Sequence, residues 1–552
     1  MLLIEKFVNK TEFSSYDDFF NNFRLNVPAN FNFTYDVMDV LAAETPDALA
    51  MLWIDDRGNR RDFTFAQMKE NVDKTASFFK SLGIGKGDMV MLILQRRYEW
   101  WFSMLALHKI GAVCIPATHM LTAEDIIFRN NAAKIKMIVA VDENDIPKHV
   151  EEAMTQSPTV KNLVIVNTER EGWVSFDKGV AEAAPFDGPR VTENSDVSLI
   201  YFTSGTTSHP KMVAHDYLYP LGHITTAYFW QKVRKGGLHL TVADTGWGKA
   251  VWGKMYGQWI SQATVFVYDY HAKFKAIDLI GLIEKYHITT FCAPPTIYRF
   301  LIQEDLSGYD LSSLVHCSTA GEPLSENVFN KWKAITGLGI TEGFGQTETT
   351  LSFLNFDSNS IKPGSIGKPS PYYNAVVLNS ENQECDDGEV GEIAFPLKNG
   401  RFPGLFKEYL YDKAKTDSVV RDGYYFTGDT AWRDEDGFFW FMGRNDDVIK
   451  CSGYRIGTFE VESVLMQHPA VVECAVTGAP DPIRGQIVKA TIVLAAAYRP
   501  GSEELVKEIQ AFVKKTTAPY KYPRIVEFVD ELPKTISGKI MRKNIREKDN
   551  KK

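Results

Sequence analysis

The sequence predicts an α/β protein with a large N-terminal domain of helix-covered sheets, which includes a β-rich subdomain, and a small α+β C-terminal domain. Strand and helix patterns alternate between residues 62 and 141, which indicates a parallel sheet covered by helices. Residues 361–406 are rich in Gly and Pro and contain short β-like runs. After "FFWFMGRNDDVIK", which ends at Lys450, a compact tail follows. A chain of 552 residues is also too long for one ordinary core.

The N-terminal alternation begins with a well-marked helix. In "TFAQMKENVDKTASFFKSLG" apolar residues recur at helical spacing, Thr64 and Gln67 have the spacing of a capping box, and Gly83 marks the end. The segments "MVMLIL", "AVCIPA" and "IKMIVAV" predict strands, and "EWWFSMLALHKIG" and "TAEDIIFRNNA" predict helices. The same alternation resumes near "VSLIYF" and "ITTFCAPPTIYRFL".

The two later regions have different patterns. Runs such as "AVVLN" and "GEIAF" predict the β-rich subdomain. In the tail, "TFEVESVLMQ" and "SEELVKEIQAFVKK" predict helices, whereas "AVVECAVTG" and "IVKATIVL" predict strands. We therefore expect a domain boundary near Arg444 to Asp447, with residues 1–445 and 446–552 as the two domains.

Composition excludes several classes of protein. The apolar content of 44% and charged content of 24% are typical of a globular protein, and a net charge of -9 gives no general attraction to nucleic acid. None of the six cysteines lies in a CxxC pair, so we expect neither a zinc site nor a disulfide framework, and a cytoplasmic location. We also expect no signal peptide and no membrane span, because the required apolar segments are missing.

The stretch "YFTSGTTSHPKMV" places small hydroxyl residues, a Gly and Lys211 directly after the strand-like run "VSLIYF". Small residues let the backbone approach a ligand, successive N–H groups can form an anion nest, and a lysine adds a cation. This chemistry suits phosphates, although the Walker A pattern is absent. Taken alone, the stretch is equally compatible with a polar surface loop.

Further motifs follow in a fixed order. They are "STAGEPLS", "GITEGFGQTETT", "YFTGDTAW", "GRNDDVIKCSGYRIGTFEVE" and "LPKTISGKIMRK". In this order, and over almost the whole chain, they resemble the adenylate-forming enzymes, and most closely the acetyl- and medium-chain acyl-CoA synthetases. The resemblance implies that a carboxylate attacks the α-phosphorus of ATP to give acyl-AMP and pyrophosphate, and that coenzyme A then takes the acyl group and releases AMP.

The resemblance also implies roles for individual residues. Catalysis is assigned to Lys539, Thr347 and Arg455, and Mg²⁺ binding to Glu348. Asp429 is assigned to the ribose hydroxyls, which suits a carboxylate with two acceptor oxygens. The ATP- and AMP-binding residues are Thr203, Ser204, Gly205, Thr206, Thr207, Ser208, Lys211, Gly321, Glu322, Pro323, Glu342, Gly343, Phe344, Thr347, Asp429, Arg444 and Arg455.

In the resembling enzymes the C-terminal domain is mobile and rotates about a hinge between the two half-reactions. Asp446 matches that hinge, and Ser452 and Gly453 match positions that line the path of the pantetheine arm of coenzyme A. The chain departs from the family pattern at Ser208, where T-S-G-T-T-G-x-P-K has Gly. Because Ser adopts positive φ less readily than Gly, this departure bears on the conformation of the phosphate loop.

The acid is predicted from positions that match the acyl pocket. In acetyl-specific relatives a bulky Trp precedes the Gln of the T-E motif, and here that position is Gly345. We therefore expect an open pocket and a short-branched or medium-chain acid, with an acetyl or aryl acid as the alternative. Trp247 and Lys254 lie in "DTGWGKAVWGKMYGQWISQATVFVYD", which matches a second pocket-lining segment. Alternatively, the lysines of this segment are solvated and its tryptophans belong to the core.

Two rival functions remain at this point. The first is an adenylation enzyme that loads a separate carrier protein, which thioester formation on free coenzyme A would distinguish. The second is a non-catalytic nucleotide-binding protein, which the presence of Lys539, Asp429 and Glu348 disfavours. The expected partner is a small carboxylic acid, and association with a second copy of the chain is left open.

Overall fold

The computed structural model describes residues 2–203, 210–322, 324–356, 360–445, 447–451, 454–482, 484–534 and 540–550, with the backbone alone at 454, 455 and 550. In chain order, the strands of this part are β1 (Leu49–Asp55), β2 (Arg60–Thr64), β3 (Met89–Ile93), β4 (Val113–Pro116), β5 (Met137–Val141), β6 (Asn162–Val166), β7 (Val174–Ser175), β8 (Val197–Thr203), β9 (Lys211–Asp216), β10 (Leu238–Thr241), β11 (Thr264–Asp269), β12 (Thr290–Cys292), β13 (His316–Ala320), β14 (Ile340–Phe344), β15 (Phe353–Leu354), β16 (Lys368–Pro369), β17 (Val376–Leu378), β18 (Gly391–Pro396), β19 (Glu408–Tyr409), β20 (Val420–Arg421), β21 (Tyr424–Arg433), β22 (Phe439–Arg444), β23 (Ile449–Cys451), β24 (Tyr454–Ile456), β25 (Val471–Asp481), β26 (Gly485–Leu494) and β27 (Ile525–Val529).

The α-helices of the same residues are α1 (Tyr16–Asn22), α2 (Asp39–Glu44), α3 (Phe65–Ser81), α4 (Glu99–Ile110), α5 (Ala123–Ala132), α6 (Ile146–Met154), α7 (Phe176–Glu182), α8 (Tyr219–Ile224), α9 (Lys249–Lys254), α10 (Tyr256–Ile260), α11 (Ala276–Tyr286), α12 (Pro295–Leu301), α13 (Glu326–Thr336), α14 (Lys413–Val419), α15 (Thr458–Leu465), α16 (Glu503–Thr516) and α17 (Arg542–Asn550). None of these helices combines the length and the apolarity that a bilayer crossing requires.

Two large sheets form the centre of the N-terminal part. One has the strand order β16-β15-β14-β13-β12-β10-β11-β1-β2, and the other β19-β9-β8-β4-β3-β5-β6-β7. The strands from β14 to β1 in the first order are parallel, as are those from β8 to β7 in the second. Such sheets are buried on both faces, which explains why their strands are almost continuously apolar in the sequence.

Two smaller sheets complete the architecture. A five-stranded sheet of β17, β18, β20, β21 and β22 forms the predicted β-rich subdomain. A second five-stranded sheet of β23 to β27 begins at Ile449, packs with α15, α16 and α17, and forms the C-terminal part. The predicted α/β class, with a large N-terminal domain and a small C-terminal one, is confirmed. The boundary predicted at residues 444–447 falls between β22 and β23; Asp446 itself lies outside the described residues.

The helix α3 shows how local sequence signals decide an element. The Thr64 hydroxyl accepts a hydrogen bond from the Gln67 N–H at 3.3 Å, and the Gln67 side chain accepts one from the Thr64 N–H at 2.9 Å. This is the predicted capping box. Gly83 follows the last turn with a φ of +78°. The apolar face of α3 is buried through Met68, Val72 and Phe79.

Candidate active site

The candidate site lies at the carboxyl ends of β13 and β14, which are neighbouring parallel strands in register at Ala320 and Gly343. Ligands of open α/β sheets bind at this edge. Gly321 follows β13 with a φ of +101°, and no atom lies within 4 Å of where its Cβ would be. A flat ring could therefore approach this backbone closely. The carboxylate of Glu322 turns toward α12, where it accepts hydrogen bonds from Thr296 (2.9 Å) and Arg299 (3.2 Å).

Glu342 lies on β14 and is fully buried beneath the same edge. Its carboxyl accepts a hydrogen bond from the Leu324 N–H at 3.3 Å. Burial raises the pKa of Glu342 well above its usual range. This buried carboxyl is suited to fixing the backbone that follows Gly321. Pro323, which was predicted to pack on adenine, lies outside the described residues.

Asp429 and Arg444 face each other in register across β21 and β22. The Asp429 carboxylate accepts hydrogen bonds from Gln346 Nε2 at 2.6 Å and from an Arg444 terminal nitrogen at 3.2 Å. Gln346 is oriented in turn by the hydroxyl of Tyr425, which donates to its Oε1 at 2.7 Å. The structure thus brings the two predicted ribose residues together. It adds Gln346 and Tyr425, which the sequence analysis assigned no role although Gln346 lies within the "GFGQTETT" motif.

A second group of side chains lies where β8 and β9 form an antiparallel pair. Thr203 and Lys211 are partners in register at the end of this pair, and residues 204–209 between them lie outside the described residues. The Lys211 ammonium is 5.2 Å from the centre of the Tyr409 ring. The Tyr409 hydroxyl donates to Glu348 Oε1 at 2.8 Å. A cation and a carboxylate are therefore held by one tyrosine, which the sequence analysis did not single out.

Glu348 was predicted to bind Mg²⁺, and its surroundings fit a hard divalent ion. Only one of its carboxylate oxygens has a hydrogen-bond partner among the described residues, which is the Tyr409 hydroxyl. In the same part of the chain, no group of three His, Cys, Asp or Glu side chains is placed to hold a metal ion by itself. A single carboxylate is sufficient for Mg²⁺, which usually completes its octahedron with water and substrate phosphates.

Thr347 is bound to the interior of the domain through its carbonyl oxygen. His215 on β9 is fully buried, and burial lowers its pKa to about 3, so the ring is neutral. Its Nε2 lies 2.8 Å from the carbonyl oxygen of Thr347, so Nε2 carries the proton and donates it. His215 was not predicted as a site residue.

The surroundings of Gly345 differ from the open pocket that the sequence predicted. A Cβ at Gly345 would lie 2.4 Å from the Trp252 ring and 2.4 Å from the Thr350 carbonyl oxygen. A Cβ at Gly343, two residues earlier, would lie 2.7 Å from the ring of Trp230. The sequence predicted an open space next to Gly345. That space is instead filled by the indole of Trp252, which lies on α9. Phe344, between the two glycines, is half-buried and packs on Phe353 and Phe441.

Lys254 lies in the interior. Its ammonium donates to the Ala243 carbonyl at 2.6 Å and is buried near Arg96, Asp244 and Asp269. Desolvation lowers the pKa of Lys254 to about 7. This side chain therefore belongs to a buried polar cluster that supports the segment, which excludes the alternative that it is solvated. Its assignment to the acyl pocket stays a prediction.

One further residue of this segment, Lys249, reaches the end of β13. Lys249 donates to the Ala320 carbonyl at 2.9 Å, at the end of β13, and desolvation lowers its pKa. Trp247 lies half-buried in the turn before α9, and it is Trp252 that packs on Gly345.

The remaining predicted residues belong to the C-terminal part. Lys539, Ser452 and Gly453 lie outside the described residues, and of Arg455 only the backbone is described, on β24 opposite Lys450. Lys534 and Ile540, the described residues on either side of the segment that contains Lys539, form an antiparallel bridge.

Gln346 and Glu348, which closely follow β14, thus connect it to Asp429 on β21 and, through Tyr409, to Lys211 on β9. Residues 38–410 match the family described as AMP-binding enzyme, and residues 460–539 match the AMP-binding enzyme C-terminal domain. This chain belongs to the AMP-binding enzyme family, which confirms the predicted relation to adenylate-forming enzymes.

Curated relatives match along nearly the full length. Acyl-coenzyme A synthetase ACSM3 (mitochondrial) of Homo sapiens is 40% identical over 547 residues, which cover 97% of this chain and 93% of that protein. Acyl-coenzyme A synthetase ACSM4 (mitochondrial) of Mus musculus is 41% identical over 544 residues, with the same coverage.

Solved structures are similar as well. The anthranilate CoA ligase AuaEII in complex with anthranoyl-AMP has a TM-score of 0.85 at 28% identity, over 95% of this chain and 98% of that one. The acyl-CoA synthetase of Brucella canis has a TM-score of 0.72 at 29% identity, over 98% of this chain and 99% of that one.

Proposed function

We propose that this enzyme, an ATP-dependent and AMP-forming acyl-CoA synthetase, acts on short-branched or medium-chain carboxylic acids of butyrate size and above. One observation carries the proposal. Two kinds of contact alternate at the end of β14. Gln346 and Glu348 contact Asp429 and Tyr409, the side chains proposed for the nucleotide and its metal ion. Gly343 and Gly345 lie against the indoles of Trp230 and Trp252. An acid whose carboxylate meets the α-phosphate at Thr347 would extend its apolar chain along the indoles.

The first half-reaction brings two anions together. A carboxylate oxygen of the acid forms a bond to the α-phosphorus of ATP, and the bond between that phosphorus and the bridging oxygen breaks to release pyrophosphate. Positive charge around the phosphates stabilises this transition state. We assign Lys211 and the loop 203–211 to the β- and γ-phosphates, Arg455 to the α-phosphate, and Lys539 to the α-phosphate and the attacking carboxylate together.

Mg²⁺ supplies further charge neutralisation when bound, and Glu348 is its proposed ligand. The Tyr409 hydroxyl on Glu348 Oε1 fixes the carboxylate, so that the second oxygen can bind the ion. On the opposite side, Gln346 and Arg444 hold Asp429 with both oxygens oriented for the ribose hydroxyls. These contacts orient the nucleotide before the acid reacts.

In the second half-reaction the thiol of coenzyme A attacks the acyl carbonyl, and AMP leaves. We propose that residues 446–552 rotate about Asp446 between the two steps, and that Ser452 and Gly453 then line the pantetheine path. The two steps need different protein groups around the same reacting atoms. Rotation of a small second domain would bring each set of groups to these atoms in turn.

The indoles support the proposed range of acids. The Trp252 ring fills the space in which a side chain at position 345 would lie. The ring comes from α9 and not from the strand. Trp252 lies against Gly345 and Trp230 against Gly343, and such apolar neighbours favour apolar chains over acetate because each methylene that fits adds about 0.8 kcal/mol.

The proposed compartment is a reducing one such as the cytoplasm. All six cysteines are thiols, and all are buried. The names of the curated relatives place those proteins in mitochondria.

The proposed function is tested by exchange of labelled pyrophosphate into ATP without coenzyme A, across acetate, butyrate, isobutyrate, hexanoate and benzoate. We expect exchange that depends on Mg²⁺ and on the acid and is stronger with butyrate and isobutyrate than with acetate. An Asp429→Asn variant serves as a control and should raise the KM for ATP. Exchange without any acid, or none with the whole panel, would contradict the proposal.

A further inference from the structure

Tyr425 orients the amide that holds the proposed ribose carboxylate. It lies on β21 and is 1% exposed, and its hydroxyl donates to Gln346 Oε1 at 2.7 Å. The nitrogen of the same amide, Nε2, donates to Asp429 Oδ2 at 2.6 Å and to the Thr427 carbonyl at 2.8 Å. Three hydrogen bonds therefore fix the Gln346 side chain, and Tyr425 makes the one in which Gln346 accepts.

These bonds allow one orientation of the Gln346 amide. If the amide were turned over, Oε1 would face the Asp429 carboxylate and the Thr427 carbonyl, which are both acceptors. Burial raises the pKa of Tyr425 well above its usual range, so the hydroxyl keeps the proton that it donates. The Tyr425 hydroxyl thus stabilises the orientation in which Nε2 points at Asp429.

The Tyr425 ring is itself fixed by packing. It lies in the core of the β-rich subdomain, opposite Phe395 in the register of β18 and β21. The centre of the ring is 5.8 Å from that of Phe395 and 5.5 Å from that of Phe406. The packed ring therefore holds its hydroxyl at a constant position beside Gln346.

Gln346 holds Asp429 more firmly than Arg444 does. The bond from Arg444 to Asp429 Oδ1 is 3.2 Å long, against 2.6 Å for the bond from Gln346 to Oδ2. The Arg444 side chain is also 36% exposed. The terminal torsion of an Asp side chain is broad, so its carboxylate needs fixed partners to keep one plane. The Gln346 amide, oriented by Tyr425, is the more firmly fixed of these two partners.

We propose that Tyr425 is a positioning residue for nucleotide specificity: through the Gln346 amide it fixes the plane of the Asp429 carboxylate, and it thereby sets how strongly the enzyme prefers ATP over deoxynucleotides. The inference rests on the proposed function, in which Asp429 binds both ribose hydroxyls. Tyr425 contacts neither the nucleotide nor the acid in this account.

The test is Tyr425→Phe, which removes only the hydroxyl, assayed with ATP, 2′-deoxy-ATP and 3′-deoxy-ATP at saturating butyrate and coenzyme A. The wild type should prefer ATP by about tenfold or more in kcat/KM, because each deoxynucleotide lacks one hydrogen bond to a charged group. Tyr425→Phe should lower this preference about fivefold, the typical effect of one neutral hydrogen bond. The change should come from a higher KM for ATP, with kcat within about twofold of the wild-type value.

The matched control is Tyr217→Phe. Tyr217 is also buried, and its hydroxyl donates to the His108 carbonyl at 3.1 Å, away from Gln346. This variant should keep the wild-type preference for ATP. General loosening of the fold would depress the rates with all three nucleotides alike and leave the preference unchanged.

A second background tests whether the hydroxyl acts through the amide. Gln346→Leu removes the amide and should itself lower the preference for ATP, so Tyr425→Phe should lower it no further there. Gln346→Leu keeps the Tyr425 ring in its core, so its preference decides the matter if Tyr425→Phe does not fold.

An unchanged preference in the single variants, or an equal drop from Tyr425→Phe in both backgrounds, overturns the inference while the wild type activates butyrate and prefers ATP. A wild type that uses the three nucleotides equally overturns the ribose role of Asp429, and the inference with it. Failure of the wild type with every acid overturns the proposed function instead.

Discussion

Replacing Trp252 with Ala is expected to lengthen the acids that the enzyme prefers. The indole lies directly beside Gly345, where even a Cβ would be 2.4 Å from the ring. Its removal vacates the space next to the strand, and no side chain from Gly343 or Gly345 can take it. The hydrogen bonds from Gln346 to Asp429 and from Tyr409 to Glu348 do not involve Trp252 and should persist.

The magnitude follows from the burial of apolar surface. Each additional methylene that enters the vacated space contributes about 0.8 kcal/mol, so two methylenes contribute about 1.6 kcal/mol, or about 15-fold in relative kcat/KM. Acids that are too short to reach the cavity gain nothing and lose their contact with the ring. The fold loses stability too, by up to about 3–5 kcal/mol for a buried Trp.

The assay is kcat/KM for straight-chain acids from acetate to octanoate at saturating ATP and coenzyme A. Trp432→Ala is the control, because Trp432 stacks on Trp440 in the β-rich subdomain, with ring centres 5.4 Å apart. The optimum should move to longer acids in Trp252→Ala and stay in place in the control. If the profile of Trp252→Ala only scales down with an unchanged optimum, Trp252 does not face the acid and the reasoning fails.

Three further outcomes are expected. Lys539→Ala should slow acyl-AMP formation about 100-fold or more, by analogy with the loss of one oxyanion donor. The variant should largely keep thioester formation from preformed acyl-AMP, and an equal loss in both steps would refute the assignment. Asp446→Pro, which fixes φ, should slow one half-reaction far more than the other, and wild-type rates in both would exclude Asp446 as the hinge. His239 is buried between the Thr290 and Thr241 hydroxyls, and burial lowers its pKa to about 3, so its stabilising effect is present above pH 6.5 and is lost as the pH falls toward 3. In His239→Gln the deficit in unfolding free energy should therefore shrink by about 2 kcal/mol between pH 7.5 and 5.0, followed as the difference in thermal midpoint; a deficit that is constant with pH would contradict the neutral state.

Local sequence patterns sufficed for most of the fold. Helix α3 is specified by periodicity and by the capping box of Thr64 and Gln67, which lie three positions apart. The alternation of strands and helices predicts parallel sheets in the same way. The pairing of β14 with β13, by contrast, joins distant segments and depends on how the whole sheet assembles.

The candidate site was predicted only in part, because its supporting contacts join residues that are far apart in the chain. Gln346 and Asp429 are separated by 83 positions, and Glu348 and Tyr409 by 61. No local pattern distinguishes these partners from other Gln and Tyr residues. The burial of Lys254 could not be predicted for a related reason, since a lysine in a mixed segment gives no sign of burial. Nothing local in the sequence shows that Trp252, on the six-residue helix α9, is the tryptophan of this segment that packs on Gly345.

The central claim is that the enzyme makes an acyl-CoA through an enzyme-bound acyl-AMP. The most direct test mixes enzyme in stoichiometric excess with ATP, Mg²⁺ and butyrate, quenches the mixture, and then repeats the reaction with coenzyme A added after the first step is complete. We expect butyryl-AMP and pyrophosphate in equal amounts before the addition, and conversion of the butyryl-AMP to butyryl-CoA and AMP after it. Formation of ADP and phosphate, or of butyryl-AMP that free coenzyme A leaves unchanged, would contradict the account.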